Sequence, residues 1–142
     1  MLVRLLYASH SSKPVSSETI ESILDQSRKH NPALGITGIL CQSGDTFMQV
    51  LEGGRTAVNL LYNDIVRDER HKNVVILHYE EVAERQFASW TMGQVNLAKV
   101  NPSTLLKYSE TTLLDPYAMS GEASMALLKE LIATAQIIGR AS

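Results

Sequence analysis

One cysteine, Cys41, is all that the 142-residue chain contains, so no internal disulfide can form and a reducing compartment is the default. Nothing at the N-terminus resembles a charged region followed by an apolar one. No apolar run approaches the roughly 18 residues of a membrane span, and a cytoplasmic protein is expected. Neither sign of charge dominates: 13 Lys and Arg stand against 15 Asp and Glu, a net charge of -2 with a pI near 6.1. Without a basic run there is no electrostatic footprint for nucleic acid or an anionic membrane. The four histidines and the cysteine show no paired ligand spacing, which argues against a metal centre. A nucleophile elbow and a phosphate-cradling glycine loop are also lacking, since Gly53-Gly54 is too short for one, and this argues against a hydrolase. What is present is 44% hydrophobic residues, enough for one globular core at this length, with no repeat or low-complexity tract.

The most informative stretch is Phe47-Met48-Gln49-Val50-Leu51-Glu52-Gly53. Strand side chains alternate, so Phe47, Gln49 and Leu51 share one face while Met48, Val50 and Glu52 share the other. Gln49 thus puts an amide where an apolar group is expected. Buried there, it needs partners, because each unpaired polar group costs about 1–3 kcal/mol. Tyr7 is the natural first partner: residues 2–8 read as a strand with Val3, Leu5 and Tyr7 on one side.

Residues 10–15 read as a loop, and Ser16 or Ser17 caps a helix with Ile20, Ile23, Leu24 and Ser27 on one face. That helix is expected to end near His30, because Pro32 disfavours helical geometry at Asn31 and Gly35 offers an exit. Residues 36–42 and 46–52 form a hairpin about Ser43-Gly44-Asp45. A second helix over 56–67 presents Val58, Leu61, Tyr62 and Ile65. Strands over 74–82 and 92–97 follow, with a short helix or turn at 84–89 between them. Right-handed crossovers and the hairpin predict an α+β, ferredoxin-like βαββαββ plan with both helices on one face, and strands one and three adjacent and parallel. Beyond residue 97 a helical extension is expected over 98–142. Pro102 begins a short helix, and Ser120 caps a longer one to about residue 137. Its stripe of Leu127, Leu128, Leu131, Ile132 and Ala135 must cover the back of the sheet, a second subunit, or both.

Tyr7, Ser27, His30, Asn31 and Gln49 then gather on the helix side beside Ile23 and Ile65, with Trp90 and Met92 arriving from the last strand. Singly each has an ordinary reading as a core tyrosine, an edge amide, a helix stop or a packing residue. Jointly they suit a flat heteroaromatic ligand, which needs apolar walls and a polar edge.

Over residues 1–97 the sequence closely resembles the BLUF family of flavin-based blue-light sensors. The matching residues are the Leu-Leu-Tyr ending at Tyr7, Ser27-x-x-His30-Asn31, Gly35-Ile36-Thr37-Gly38, Phe47-x-Gln49-x-Leu51-Glu52-Gly53, Asp68-x-Arg70-His71 and Trp90-x-Met92. The resemblance implies non-covalent FAD between the two helices, with FMN or riboflavin as alternatives, and a ring flanked by Ile23 and Ile65. It implies that Asn31, His30 and Ser27 hold ring and ribityl oxygens, and that Asp68, Arg70 and His71 stand near the ribityl and phosphate end. Tyr7 is then the donor of an electron and a proton, Gln49 the relay, and Trp90 and Met92 the carriers of the change. Asp64 lies where some members carry a base, and would repel a phosphate. The resemblance implies a photoreceptor and not an enzyme. With no effector module read after residue 97, the signal is expected to pass to a downstream protein, in a homo-oligomer such as short relatives form. The rival reading is a light-insensitive ferredoxin-like regulatory domain that binds a small metabolite.

Overall fold

The computed structural model of the protein describes residues 1–134 and 137. Its elements run β1 (Leu2–Ser11), α1 (Ser17–Leu34), β2 (Thr37–Ser43), β3 (Thr46–Gly54), α2 (Arg55–Arg67), β4 (His71–Val82), β5 (Gly93–Asn96), α3 (Pro102–Leu106) and α4 (Gly121–Ala133), with short 3-10 turns before α3 and α4. The five strands form one sheet in the order β4-β1-β3-β2-β5, the ferredoxin-like arrangement with one added edge strand.

β1 and β3 are neighbours as expected, but they run antiparallel, not parallel. A crossover helix makes β1 and β2 parallel with a gap between them. The hairpin then returns β3 into that gap, reversed relative to both. β5 adds to β2 in parallel. The register sets Tyr7 directly across from Gln49. β1 also continues through His10 and Ser11, where a loop was expected, because it is hydrogen-bonded to strands on both sides.

The sheet separates two apolar clusters. On one side Val3, Leu5, Tyr7, Phe47 and Leu51 pack against Ile20 and Leu24 of α1 and Val58 of α2. On the other, Leu6, Ile39, Cys41, Met48 and Val50 meet Phe87, Trp90 and the Met125, Leu127, Leu128 and Leu131 stripe of α4. That stripe covers the back of the chain's own sheet. Gly121 permits the approach, since a Cβ there would lie 2.1 Å from the Leu77 carbonyl oxygen. Ser120 caps α4 by accepting from the Ala123 N–H. The helix ends at Ala133, short of the expected end, and Ala135 lies outside the described residues.

The other correction concerns α1, which continues through Pro32 to Leu34. Gly35 adopts a left-handed conformation, and the Ile36 N–H reaches back to the Asn31 carbonyl, closing a Schellman cap. This termination overrides the break expected at Pro32. Asn31 is therefore helical, and 3% exposed.

Candidate functional site

A cavity of about 250 Å³ opens between α1, α2 and the helix-facing side of the sheet. It is lined by Tyr7, Ile23, Ser27, His30, Asn31, Gln49, Ile65, Asp68, Arg70 and His71, joined by Gln26, Leu34, Leu40, Leu61 and Asp64. A larger hollow, about 450 Å³, lies among residues 107–123, but none of its lining residues is buried and Lys107 there is tied to Glu130.

At the floor, the Tyr7 hydroxyl donates to Gln49 Oε1, and Gln49 Nε2 donates to Met92 Sδ at 3.2 Å. All three side chains are buried. The period-2 pattern of two adjacent strands brings phenol and amide together, and Met92 enters from the segment before β5. The Tyr7 ring meets Tyr62 of α2 edge-on at 5.8 Å. Burial pushes the Tyr7 phenol well above its ordinary range, and Tyr62 and Asp68 push it further. The proton therefore stays on Oη across all ordinary pH.

The wall formed by α1 presents Ser27, His30 and Asn31 at helical spacing, with Ser27 half-buried and His30 exposed. The Asn31 carboxamide makes no hydrogen bond to another described residue, though its residue is almost wholly buried. Ile23 and Ile65 face the space from opposite helices, both half-buried.

At the mouth, Asp68 accepts from the Arg70 backbone N–H at 2.9 Å and pairs with its guanidinium at 2.6 Å. Those hydrogen bonds hold the Asp68 carboxyl below its usual range and raise the Arg70 guanidinium. Arg70 also donates to Gln26 Oε1 at 3.1 Å. His71 Nδ1 lies 3.0 Å from the buried Ser9 hydroxyl, and the ring stands edge-on to Phe47. Burial lowers the imidazole pKa, Asp68 opposes that, and Arg70 reinforces it. Asp64 lines the same space but turns its carboxylate to Arg67, 2.7 Å away, so its charge is partly neutralised.

Trp90 is not brought to the cavity. It belongs to the apolar cluster behind the sheet, whereas Met92, two residues on, points to the helix side. The strand alternation that would place both on one face does not apply, because regular β5 geometry begins only at Gly93. Sequence reasoning also passed over Ser9 and Gln26. Ser9 follows Tyr7 by two in the same strand and Gln26 precedes His30 by four in the same helix, so periodicity would have found both.

A buried polar group behind the sheet holds the segment that delivers Met92. Glu52, fully buried, pairs with Arg4 at 2.7 Å and accepts from the backbone N–H groups of Gln86 and Phe87. Arg85 donates to the Gly35 carbonyl, the Thr37 hydroxyl and the Glu52 carbonyl, tying this segment to the end of α1.

Among the described residues there is no group of side chains placed to hold a metal ion, and no helix long and apolar enough to cross a membrane. In sequence, the chain is 36% identical over 92 residues to a photoactivated adenylate cyclase subunit beta of Euglena longa, covering 64% of this chain and 11% of that protein. It is 34% identical over 97 residues to the blue light- and temperature-regulated antirepressor BluF of Escherichia coli (strain K12), covering 68% of this chain and 24% of the relative. The chain thus spans a quarter or less of these curated relatives. In structure it superposes on BlsA in its photo-activated state with a TM-score of 0.80 at 28% identity, covering 100% of this chain and 99% of the other. The dark state of BlrB, a BLUF protein, gives 0.77 at 32% identity, covering 94% and 96%. Residues 2–93 match the family described as "BLUF: Sensors of blue-light using FAD", and the chain belongs to that family.

Proposed function

We propose that this chain is a photoreceptor that is not itself an enzyme, holding FAD without a covalent link between α1 and α2 and passing the light signal to a partner protein. The observation that carries the reading is the hydrogen-bonded row of Tyr7, Gln49 and Met92 on the floor of the cavity. The residues fit a flavin. A flat ring system needs apolar faces and a polar edge; Ile23 and Ile65 offer the first, Gln49 and the unpaired Asn31 carboxamide the second. At about 250 Å³ the cavity falls just below the range of small-molecule sites, roughly 300–1,000 Å³, and suits a ring rather than a whole dinucleotide. The remainder then falls to Asp68, Arg70 and His71 at the mouth. FMN and riboflavin share the ring, so the preference for FAD rests on the family and on those three side chains.

When bound, the flavin supplies absorption of blue light and an excited state that accepts an electron. Tyr7 is an oxidisable phenol whose proton burial keeps on Oη, and its hydrogen bond aims that proton at Gln49 Oε1. Gln49 both donates and accepts, so a rotation of its amide exchanges the groups facing Tyr7 and Met92, while a tautomerisation would move a proton from its nitrogen to its oxygen. With the amide oxygen turned toward Met92 Sδ, a thioether that has no proton to give, the 3.2 Å link is lost. Met92 and the segment before β5 then register the change, and the cluster containing Trp90 and α4 lies directly behind. In this reading residues 1–97 sense and 98–142 carry the output to a second protein in a homo-oligomeric, cytoplasmic assembly. That relatives include cyclase subunits and an antirepressor supports coupling to an effector.

The purified protein should be yellow, and blue light should move its absorption to longer wavelength, with the shift fading in darkness. Tyr7→Phe should keep the colour and abolish the shift. A yellow protein without any shift would leave a flavin-binding regulatory domain blind to light.

A further inference from the structure

Arg28 does not line the cavity, yet its Nη2 donates to the main-chain carbonyl of Met92 at 3.1 Å. One step along α1 from Ser27, it leaves the helix about 100° around from that residue and reaches past the rim to the segment before β5. Among the described residues it makes no ion pair, so its guanidinium is committed to this carbonyl. Met92 is therefore held twice, by its sulfur at Gln49 and by its backbone at Arg28.

We infer that Arg28 is a positioning residue that tethers Met92 to α1 and so sets how fast the switched state returns. The inference rests on the photoreceptor reading above. The two bonds are unequal under a change at Gln49. Rotation of that amide removes the donor facing Met92 Sδ and leaves the Arg28 bond untouched. Met92 is then free at its side chain but anchored at its backbone, so it searches a small volume for the way back. Beyond Met92, Trp90 accepts from the Gly38 N–H at 3.0 Å through its carbonyl, and Arg85, Gln86 and Phe87 are fixed by α1, β2 and Glu52. Arg28 is the tether next to the residue that must move, and the one of these built from an exposed side chain on the helix that walls the site. Its charge-assisted bond is stronger than a neutral one, though exposure weakens it.

Arg28→Ala should keep the flavin and the size of the light-induced shift, and slow dark recovery roughly five-fold, the factor that corresponds to one ordinary hydrogen bond. Arg28→Lys, which can still reach the carbonyl, should restore most of the rate. In a Met92→Leu background, with no sulfur to reseat, Arg28→Ala should change recovery less than two-fold. Recovery in Arg28→Ala within two-fold of the parent would overturn the inference. So would loss of flavin in that variant, or a full five-fold effect persisting without the Met92 sulfur. Absence of any shift in the unaltered protein would instead refute the photoreceptor reading, and is seen before any variant is made.

Discussion

Removing the Glu52 carboxylate should be the most damaging single change outside the cavity. It sits fully buried behind the sheet, 2.7 Å from Arg4, and takes the N–H groups of Gln86 and Phe87. In Glu52→Ala the buried Arg4 keeps Glu80 at 2.5 Å, on the sheet edge, as its one ion-pair partner among the described residues, beside the Phe87 ring at 5.8 Å. Breaking a buried pair from one side costs about 3–5 kcal/mol; the surviving Glu80 contact argues for the lower end. Two stranded N–H groups add about 1 kcal/mol or more, reduced where water reaches Gln86. The sum is about 4 kcal/mol, a large part of the roughly 5–15 kcal/mol that holds a domain together. At about 2–4 °C per kcal/mol for a chain of this size, the melting temperature should fall by about 8–16 °C. Thermal unfolding followed by circular dichroism measures that shift, and urea unfolding measures the loss of free energy. Adding Arg4→Met should recover part of the loss, because the stranded charge and not the missing contact dominates. A loss below about 1 kcal/mol in Glu52→Ala would refute the reasoning, since it would mean that the pair is solvated in the folded chain.

Three further outcomes follow from other parts of the structure. Asn31→Ala should fold normally and lower flavin affinity about ten-fold, the worth of one well-made hydrogen bond in a closed site, measured by flavin release on dilution; unchanged affinity would remove Asn31 from the binding set. For His71, burial lowers the folded pKa below the ordinary value of about 6.5, so the unfolded chain binds the proton first. Its contribution is fully present above that value and is lost as pH falls toward the depressed folded pKa; Asp68, also lowered, adds its own loss further down, below the carboxylate range. Urea midpoints against pH should therefore decline below about pH 6.5 in the parent and decline less in His71→Gln. Gly38→Ala should cost about 3 kcal/mol, because its Cβ would sit 2.0 Å from the Val50 carbonyl oxygen in the next strand and backbone cannot step aside. Gly44→Ala meets no atom within 4 Å and bears only the left-handed strain of about 1–2 kcal/mol, so the two melts should differ.

Much of the site could be read from the sequence because it lies on regular strands. Alternation alone set Tyr7 with Val3 and Leu5, and Gln49 with Phe47 and Leu51, and connectivity made the two strands neighbours. The pairing is antiparallel and not the expected parallel, a direction that the hairpin and crossover together dictate. Irregular backbone hid the rest. Pro32 predicts a break that would leave Asn31 outside the helix, but the Gly35 cap closes the chain beyond it and Asn31 is helical. A period of two sets Trp90 beside Met92, but that period does not operate before Gly93. The Arg4 and Glu52 pair was missed for a different reason. A charge on an alternate strand position reads as solvent-facing, and only the tertiary structure, with residues 85–87 folded over it, makes it interior. Arg28 carries no periodic signature at all, because what it binds is a backbone carbonyl 64 residues away.

The sheet acts as a partition, and each compartment it creates is sealed by different helices. If the flavin binds as proposed, a chain stripped of it should lose filling from the front room alone, the side on which α1 and α2 pack. The rear room, closed by α4, keeps its own contents. A protease added to the emptied protein should therefore cut first within the front pair of helices and leave strands and α4 as a resistant remnant. Refilling the cavity should protect both sides alike.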